Sequence, residues 1–498
     1  MTADLQNARI SGDTSLDISR IALHSGDAGP DSLFVAVCGN KADGHDFLEA
    51  AYQAGARAFV TQRPFCKENT ATIIVPDTRR ALGILASALY ENPSRRMSLI
   101  GITGTNGKTS TAFLLSAILE AAGMPTGLLS TIQYRCLTQI VPAERTTPSQ
   151  VETQRLLRTM ADAGARCAVM EVSSHGLDQQ RVDTCHFDVG IFTNLTPEHL
   201  DYHVTMDAYY ESKKRFFTEV IPRSDKKETW AVINIDDPYG TELCRTLGRK
   251  TISFGLHEAD VQAENTHLSI SGISADIAAH GQRFHIRSPL IGTFNLYNIL
   301  AAAAAAMAMK ISTTAIQTGI EHTSGVPGRM ERIENDRGFN VFVDYAHTGD
   351  ALENVLKTLQ QAGAQQIITI FGCGGDRDRT KRPVMGRIAA QYSSILILTS
   401  DNPRSENPAA IINEIEQGVI AQGFRRCNSA HTTRTQQDRM YHVDHDRRRA
   451  IRQGISMAGN ESVVLIAGKG HEDYQEAHGS RVHFDDREEA REALRMCA

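Results

Sequence analysis

The stretch MSLIGITGTNGKTSTAFLLSAILEAA, residues 97–122, decides how the rest of the chain is interpreted. Its first part, from Leu99 to Thr103, is short, apolar and β-prone. From Ser110 onward, apolar residues recur at the spacing of a helix. The glycine-rich turn GTNGKT, residues 104–109, lies between them. The pattern therefore predicts a strand, a tight turn and a helix in that order.

A turn of this kind aims a helix N-terminus and several backbone N–H groups at one point, which suits a phosphate group. Lys108 adds a mobile positive charge, and the hydroxyl of Thr109 or Ser110 can hold Mg²⁺. The strict pattern G-x-x-x-x-G-K-[ST] is not met, because Ile102 stands at its first glycine. An ordinary strand-to-helix turn is the alternative. We predict that this turn binds the phosphates of a nucleotide.

Length and composition limit the class of protein. A chain of 498 residues suits about three domains. The net charge of −6 gives no global attraction for nucleic acid or an anionic membrane. The first residues do not have the pattern of a signal peptide, and the longest apolar run, residues 299–309, is too short to span a bilayer. The nine cysteines include no C-x-x-C pair. We expect a cytoplasmic protein without membrane insertion.

Alternating strand and helix patterns predict an α/β fold of three domains, at 1–94, 95–326 and 327–498. A proline-containing linker near Pro93 marks the first boundary, and the pattern restarts near Val326. The His-rich region 438–449 is interpreted as a solvated face. The predicted strands are 33–39, 56–62, 167–172, 187–194, 341–344, 367–371, 395–399 and 463–467, and the predicted helices include 79–90 and 298–309.

Segments rich in polar and charged residues tend to follow the carboxyl ends of these strands. They are GTNGKT, EVSSHG, NLTPEHLDYH, DYAHT, GCGGDRD, SDNPR and AGKGHE. Ligands of open parallel sheets bind in the crevice at those strand ends. The pattern therefore favours a ligand-binding enzyme over a structural protein.

Three residues are candidate metal ligands. Glu171 ends an apolar strand, where a carboxylate can hold Mg²⁺ or merely cap the next helix. His199 lies in a loop, where a surface position is the alternative. Lys213 interrupts an apolar helix stripe that also contains Met206, Tyr210, Phe217 and Val220. Either its ammonium reaches water at the edge, or it faces the cleft, where carbamylation would make it a metal ligand.

Basic residues cluster at two strand ends of the third predicted domain. Arg377, Arg379, Lys381 and Arg382 follow a glycine turn, and Arg404 follows Asp-Asn-Pro. Guanidinium groups pair bidentately with carboxylates, so the cluster suits a substrate that carries them. A solvated basic loop is the alternative for either segment alone.

Together the segments resemble the Mur ligases, the ATP-dependent amide-forming enzymes of bacterial peptidoglycan synthesis. The resemblance runs almost end to end and is greatest for the branch that adds the third residue of the stem peptide. Nine motifs carry it, in the order of the family: GITGTNGKTS, EVSSHGL, NLTPEHLDYH, GTFNLYN, VPGRMER, VDYAHT, FGCGGDRDRTKRP, SDNPRSENP and AGKGHEDYQ.

The resemblance implies a central P-loop ATPase-type parallel sheet, an N-terminal UDP-muramoyl-binding domain and a C-terminal Rossmann-like domain that binds the amino acid. It implies ATP contacts at Thr103, Gly104, Thr105, Asn106, Gly107, Lys108, Thr109, Ser110, Asn295, Asn298, Arg329 and Asp344. It implies Mg²⁺ ligands at Thr109, Glu171, His199 and Lys213, the last as a carbamylated lysine.

Two further sets of residues match substrate positions of the family. Those for the UDP-muramoyl dipeptide are Leu23, Ser25, Asn40, Lys41, Thr146, Thr147, Ser173, Gln179 and Arg181. Those for the incoming amino acid are Arg377, Asp401, Asn402, Pro403, Arg404, Gly468 and Glu472. The sequence departs from the family pattern at three places, and the departures at Gly349 and Glu198 remove no residue that carries a role. Asn40-Lys41 stands where relatives vary, Gly349 replaces a proline, and Glu198 replaces an aspartate.

The resemblance implies that the enzyme adds meso-diaminopimelate to the D-glutamate γ-carboxylate of UDP-N-acetylmuramoyl-L-alanyl-D-glutamate through an acyl phosphate. The catalytic residues would be Lys108, Lys213, Glu171, His199 and Arg329. We expect a monomer that binds small molecules and no nucleic acid. Three alternatives stay open: an L-lysine-adding member of the branch, a ligase similar to folylpoly-γ-glutamate synthetase, and a P-loop switch protein that is not an enzyme.

Overall fold

A computed structural model of the chain describes residues 5, 7–39, 42–247, 250–427 and 439–496. The described residues pack into two compact units. The first extends to Gln262 and also contains Ala278–Gln282 and Tyr297–Gly319. The second contains Ala263–Ile277, Arg283–Leu296 and the chain from Ile320 onward. The predicted boundaries at 94 and 326 remain a prediction.

The first unit begins with a five-stranded sheet. Its elements are β1 (Arg9–Gly12), β2 (Arg20–Ala22), β3 (Ser32–Val35), α1 (Leu48–Gln53), β4 (Ala58–Thr61), β5 (Ala71–Ile74) and α2 (Thr78–Leu89). The strand order is β1-β5-β4-β3-β2, with only β1 antiparallel to its neighbour. The strands β3 and β4 are buried along their whole length, which is typical of parallel strands covered on both faces.

A second, eleven-stranded sheet follows, in the order β16-β15-β14-β13-β12-β11-β6-β10-β7-β8-β9. Its strands are β6 (Ser98–Thr103), β7 (Thr126–Leu129), β8 (Gln133–Cys136), β9 (Gln139–Pro142), β10 (Cys167–Glu171), β11 (Val189–Phe192), β12 (Trp230–Asn234), β13 (Thr251–Gly255), β14 (Val261–Ser269), β15 (Gly272–Ala279) and β16 (Gln282–Ser288). The five strands β7, β10, β6, β11 and β12 run parallel, so their carboxyl ends share one edge.

Helices connect these strands. They are α3 (Lys108–Ala121), α4 (Gln150–Asp162), α5 (Ser174–Asp178), α6 (Leu200–His203), α7 (Met206–Arg215), α8 (Pro238–Thr246), α9 (Thr293–Ala308) and α10 (Thr313–His322). The predicted helix 298–309 begins earlier, at Thr293. The strands β14–β16 are absent from the sequence prediction, because their mixed composition hides the alternation of buried and exposed positions.

The second unit contains a seven-stranded sheet in the order β17-β18-β23-β19-β20-β22-β21, and a separate pair, β24-β25. The strands are β17 (Glu331–Ile333), β18 (Asn340–Asp344), β19 (Gln366–Phe371), β20 (Ile395–Leu398), β21 (Arg425–Arg426), β22 (Met440–Val443), β23 (Ser462–Ala467), β24 (Tyr474–Ala477) and β25 (Ser480–His483). The helices are α11 (Gly349–Gln361), α12 (Lys381–Tyr392), α13 (Pro408–Ile420), α14 (Arg447–Ser456) and α15 (Asp486–Met496).

The predicted α/β class, built on largely parallel sheets, is confirmed. The interpretation of 438–449 as a solvated face is wrong for three of its described residues, although Arg439, His445, Asp446, Arg448 and Arg449 are exposed. Tyr441 and His442 are buried in β22, and Arg447 is 1% exposed and forms an ion pair with Asp486 inside the unit. Among the described residues, no helix combines the length and apolarity needed to cross a membrane.

Candidate functional site

The glycine turn adopts backbone conformations that require its glycines. Gly104 has φ +147° and Gly107 has φ +85°, both in the left-handed region. A Cβ on Gly104 would lie 1.9 Å from Thr193 Oγ1, and one on Gly107 would lie 2.3 Å from Asn298 Oδ1. The predicted strand-turn-helix is therefore present, and the chain packs too closely against the turn for any larger residue.

The segment after β11 holds this turn in place. The N–H groups of Thr105 and Asn106 donate to the backbone and side-chain oxygens of Asn194, each at 2.9 Å. Thr193 Oγ1 donates to Asn106 O at 2.7 Å. The N–H groups of Thr105 and Asn106, which the sequence assigns to phosphate binding, therefore donate to other residues of the protein in this structure. Thr193 and Asn194 were missed, although NLTPEHLDYH is one of the motifs that follow a strand.

Two lysines meet at the turn. Lys108 Nζ donates to Gly104 O at 2.9 Å and to Thr105 O at 2.8 Å. Lys213 Nζ donates to the same Gly104 O at 2.8 Å. Lys213 is 1% exposed, so the alternative in which its ammonium reaches water is wrong. Burial, assisted by the charge of Lys108, holds the pKa of Lys213 well below its usual value.

The ring of Tyr209 connects Lys213 to other predicted site residues. Lys213 Nζ lies 4.6 Å from the centre of this ring, and the Tyr209 hydroxyl lies 3.1 Å from Thr105 Oγ1. The ring of His199 lies 6.2 Å from that of Tyr209. His199 itself is 44% exposed and has φ +57° at the start of α6. The geometry thus places His199 near the turn with its ring accessible.

Glu171 is a buried carboxylate beside the turn. It ends β10 opposite Ile102 of the neighbouring β6 and is 0% exposed. Its Oε1 accepts from Thr131 N at 2.8 Å, and its Oε2 accepts from Thr131 Oγ1 at 3.0 Å. Thr131, which the sequence reasoning missed, therefore orients the carboxylate. Each carboxylate oxygen accepts more than one hydrogen bond or metal contact, so Glu171 retains capacity for a cation.

A cavity of about 350 Å³ in the first unit is lined by four of the residues predicted for the UDP-muramoyl substrate: Leu23, Ser25, Gln179 and Arg181. Arg79 and Arg145 also line it, and no carboxylate does among the described residues. Burial and the charge of Arg145 lower the pKa of Arg181. Three guanidinium groups around one cavity suit a ligand with several negative charges.

The other residues predicted for this substrate lie nearby or are not described. Arg181 donates to Thr147 O and to Gln179 Oε1, both at 2.7 Å. Thr147 Oγ1 donates to Glu171 O at 2.9 Å and lies 3.0 Å from Ser173 Oγ. A hydrogen-bonded path therefore connects the cavity to Glu171. Thr146 contacts Thr131 at 3.1 Å, and Asn40 and Lys41 lie outside the described residues.

The second unit contains the remaining residues predicted for ATP, apart from Asn298. Asp344 is 6% exposed and accepts from the N–H groups of Met330 at 2.7 Å and Ala346 at 2.8 Å. Burial raises its pKa, although the charge of Arg329 opposes the shift. The Arg329 guanidinium lies 4.8 Å from the centre of the Tyr345 ring. Asn295, in α9, donates to Ile291 O at 3.0 Å.

The structure brings together the predicted amino-acid pocket at the carboxyl ends of β20 and β23. Asn402 Nδ2 donates to Glu472 Oε2 at 2.9 Å. A Cβ on Gly468, which has φ +120°, would lie 2.8 Å from Asp401 Oδ2. Burial raises the pKa of Glu472, and the charge of Asp401 adds to the shift. The pocket is therefore small and polar, and the carboxylates of Asp401 and Glu472 lie at its edge.

Arg404, next to Pro403, is fixed by the β24-β25 pair. It has φ +50°, its N–H donates to Glu476 O at 3.0 Å, and its carbonyl accepts from His478 N at 2.7 Å. Its guanidinium donates to Gly375 O at 2.8 Å and lies 3.6 Å from Glu476 Oε2. The side chain is therefore held at the glycine turn 372–375 and remains 20% exposed.

The basic cluster of the second unit is only partly available to a ligand. Arg382 is 0% exposed and pairs with Glu406 at 2.8 Å and Glu414 at 2.9 Å. Arg379 also pairs with Glu414. Arg382 thus joins α12 to α13 and to the loop before α13, so its assignment to a substrate carboxylate is wrong, whereas the side chain of Arg379 stays 67% exposed. Arg377 donates to Asp376 O at 3.1 Å and remains a candidate.

Comparison with known families and proteins agrees with this geometry. Residues 17–90 match the description "Mur ligase family, catalytic domain". Residues 102–306 match "Mur ligase middle domain" and residues 328–470 match "Mur ligase, glutamate ligase domain". A relative from Geobacter metallireducens is 47% identical over 97% of this chain and 95% of its own length.

The chain belongs to the Mur ligase family.

The Geobacter metallireducens relative is named UDP-N-acetylmuramoyl-L-alanyl-D-glutamate–2,6-diaminopimelate ligase. A relative of the same name from Geobacter sulfurreducens is 47% identical over 98% of this chain and 96% of its own length. A solved structure of a ligase of that name has a TM-score of 0.70 and 32% identity, and covers 96% of this chain and 95% of that one. As a Mur ligase the chain is an ATP-dependent peptide ligase, which excludes a P-loop switch without enzyme activity.

Proposed function

We propose that this Mur ligase joins meso-diaminopimelate to the D-glutamate γ-carboxylate of UDP-N-acetylmuramoyl-L-alanyl-D-glutamate, with ATP as the third substrate. The observation that carries the proposal is the 47% identity, over 97% of the chain, to relatives named for this reaction. The matched family models include the glycine turn 104–109 and the three arginines that line the cavity. We further propose that the enzyme acts as a monomer in the cytoplasm.

The first unit supplies groups for two substrates. The cavity with Arg79, Arg145 and Arg181 would hold the diphosphate of the UDP moiety, because its described lining sets three guanidinium groups together without a carboxylate. The turn would hold the ATP phosphates, with Lys108 as a movable cation. Its ammonium now donates to two carbonyl oxygens, and it can exchange these for phosphate oxygens without breaking the turn.

The oxygen donors beside the turn fit Mg²⁺, which prefers carboxylate and hydroxyl ligands. Glu171 and Thr109 would hold the cation, with His199 as a further ligand. The ammonium of Lys213 does not fit beside a cation. A carbamate does, and burial lowers the pKa of Lys213, which favours the uncharged amine that attacks the carbon of CO₂ and loses one proton to form it. When bound, Mg²⁺ supplies positive charge that offsets the charge of the transferred phosphoryl group.

Amide formation from a carboxylate needs activation, because a carboxylate is a poor electrophile. The γ-carboxylate oxygen of D-glutamate attacks the γ-phosphorus of ATP, and the bond to the β-phosphate oxygen breaks. The products are an acyl phosphate and ADP. The uncharged amine then attacks the acyl carbon, inorganic phosphate leaves, and the amine nitrogen loses a proton. Lys108 and Arg329 would stabilise the charge that develops on the transferred group.

The proposal is tested by ADP release from the purified chain with ATP, Mg²⁺ and the UDP-muramoyl dipeptide, against a panel of amino acids. We expect fast release with meso-diaminopimelate, slow release with L-lysine or D-lysine, and none with glutamate. Lys108→Ala measures the background. Comparable rates with L-lysine would contradict the proposed amino acid, and release with a folate substrate in place of the muramoyl dipeptide would contradict the proposed acceptor.

A further inference from the structure

A buried lysine that the proposed mechanism does not use lies at the centre of the amino-acid pocket. Lys469, directly after Gly468, has a side chain that is 0% exposed. Its Nζ donates to Asn402 Oδ1 at 2.8 Å and to Tyr474 O at 2.7 Å. The same atom lies 3.5 Å from Asp401 Oδ1 and 4.0 Å from Glu472 Oε2. One ammonium therefore faces four oxygens from three segments.

These partners are also joined to one another. Asn402 donates to Glu472 at 2.9 Å, while its Oδ1 also accepts from Glu476 N at 2.9 Å. Gln475 donates to Asp401 O at 2.7 Å. A buried cation is stable only when its donors are paired, so the network is held around Lys469. Loss of this ammonium would leave Asp401 and Glu472 as two neighbouring acids without their shared cation.

The charges around the pocket affect the pKa values of both Glu472 and Lys469. Burial and the charge of Asp401 raise the pKa of Glu472, whereas Lys469, Asn402 and Arg404 lower it. Burial lowers the pKa of Lys469, and Asp401 opposes that shift. Arg447 is occupied by its ion pair with Asp486 at 2.6 Å. Four other titratable side chains interact electrostatically with Asp401 or Glu472: Tyr345, Tyr474, His347 and Cys373.

We propose that Lys469 is a positioning residue that keeps Glu472 ionised and directed into the pocket, so that Glu472 presents a carboxylate to the distal ammonium of the incoming diamino acid. The inference rests on the proposed function, which assigns that ammonium to Glu472. Lys469 itself directs its ammonium to oxygens of the protein, so it acts on the substrate through Glu472.

Lys469→Met tests the inference, because it keeps the length of the side chain and removes the charge. At pH 7 we expect the KM for meso-diaminopimelate to rise about ten- to a hundredfold. The ratio of variant to wild-type KM should fall as the pH rises from 7 to 8.5, because Glu472 then ionises without Lys469. The substrate amines titrate in the same way in both assays, so their effect on KM cancels in this ratio. The KM values for ATP and for the UDP-muramoyl dipeptide should stay within about twofold.

Two further variants separate charge from hydrogen bonding. Lys469→Gln keeps one donor without the charge, so it should show the same pH-dependent ratio as Lys469→Met. Lys357→Met is the matched control, because it removes an ammonium from the same unit at a side chain that is 48% exposed and pairs with Glu353. We expect it to match the wild type at every pH.

A pH-independent rise of KM in both Lys469 variants would overturn the inference, as would equal losses for all three substrates. If neither variant folds, the wild type is compared with Glu472→Gln. The ratio of their kcat/KM values should be constant from pH 6.5 to 9, and a ratio that grows with pH would show that Lys469 does not keep Glu472 ionised. If the wild type ligates no diamino acid at all, the proposed function fails instead.

Discussion

Two ammonium groups share one carbonyl oxygen at the phosphate turn, and this arrangement sets the chemistry of both lysines. Lys108 and Lys213 donate to Gly104 O at 2.9 and 2.8 Å. Like charges at this separation repel, and burial adds to the cost for Lys213. The arrangement favours an uncharged amine on Lys213 and a ligand that draws Lys108 away. Both residues therefore lead to predictions at the scale of single side chains.

Lys108→Ala should reduce ADP release at least about a hundredfold, because the cation that would stabilise the transferred phosphoryl group is lost. The fold should remain, since Thr193 and Asn194 hold the turn without it. Steady-state kinetics and thermal unfolding measure the two effects. Lys310→Ala, at an 83% exposed side chain, is the control. Turnover close to that of the control would remove Lys108 from the mechanism.

Lys213→Ala should be nearly inactive, and short carboxylic acids such as formate or acetate should restore part of the activity by occupying the place of the carbamate. Lys214→Ala is the control, because that lysine points away and pairs with Glu211 at 2.8 Å. Activity is measured against acid concentration. A free ammonium on Lys213 in the active, Mg²⁺-bound enzyme, seen by crystallography, would contradict the carbamate.

At the scale of elements, α3 lies between two glycines with positive φ that differ in their surroundings. Gly104 precedes the helix, and a Cβ on it would lie 1.9 Å from Thr193 Oγ1, whereas Gly123 follows the helix with φ +72° and open space where its Cβ would lie. Gly104→Ala should therefore raise the Kd for ATP more than tenfold, because the turn must shift away from β11. Gly123→Ala should leave the Kd unchanged and cost about 1 to 2 kcal/mol of left-handed strain.

Calorimetric titration with a non-hydrolysable ATP analogue measures both Kd values. An unchanged Kd in Gly104→Ala would show that the close approach of the turn to Thr193 does not shape the phosphate site.

The β24-β25 pair holds Arg404 in a defined position. Its backbone is hydrogen-bonded to β24, and its guanidinium donates to Gly375 O in the turn 372–375. We predict that Arg404 pairs with the distal carboxylate that distinguishes meso-diaminopimelate from L-lysine. Arg404→Ala should lower kcat/KM for diaminopimelate about ten- to a hundredfold, because a charge-assisted hydrogen bond is lost. It should not gain comparable activity with L-lysine, since the rest of the pocket is unchanged.

The same ADP-release assay with both amino acids measures this selectivity. If Arg404→Ala and the wild type show the same preference between the two amino acids, Arg404 does not select the substrate.

At the scale of the whole molecule, we expect the two half-reactions to use different parts of the chain. The residues predicted for the acyl phosphate include the glycine turn 104–109 of the first unit, whereas Arg404 and Glu472 of the second unit are predicted to act only on the amine. With ATP and the muramoyl dipeptide but no amino acid, hydroxylamine should trap the acyl phosphate as a hydroxamate. Arg404→Ala should form as much hydroxamate as the wild type, and Lys108→Ala almost none. Equal loss in both variants would show that the half-reactions are not separable.

Much of this organisation could be predicted from the sequence. Continuous apolar runs such as 463–467 predicted the buried parallel strands, and the structure confirms them. Polar residues directly after these strands predicted where the sites lie. The stripe around Lys213 predicted a lysine on an apolar face, and the structure buries it. These predictions depend on local periodicity and on residue type, both of which the sequence carries in full.

The sequence by itself determined the α/β class, the phosphate turn and the family, because each depends on residues that are close together in the chain. Only the tertiary structure decided which charges are free. Arg382 and Arg404 stand in similar basic motifs. Arg382 is buried and forms ion pairs with Glu406 and Glu414, whereas Arg404 stays partly exposed. The role of Lys469 was hidden for the same reason. The partners of a charged side chain decide whether it is available to a ligand. Those partners come from distant segments that meet only in the folded chain.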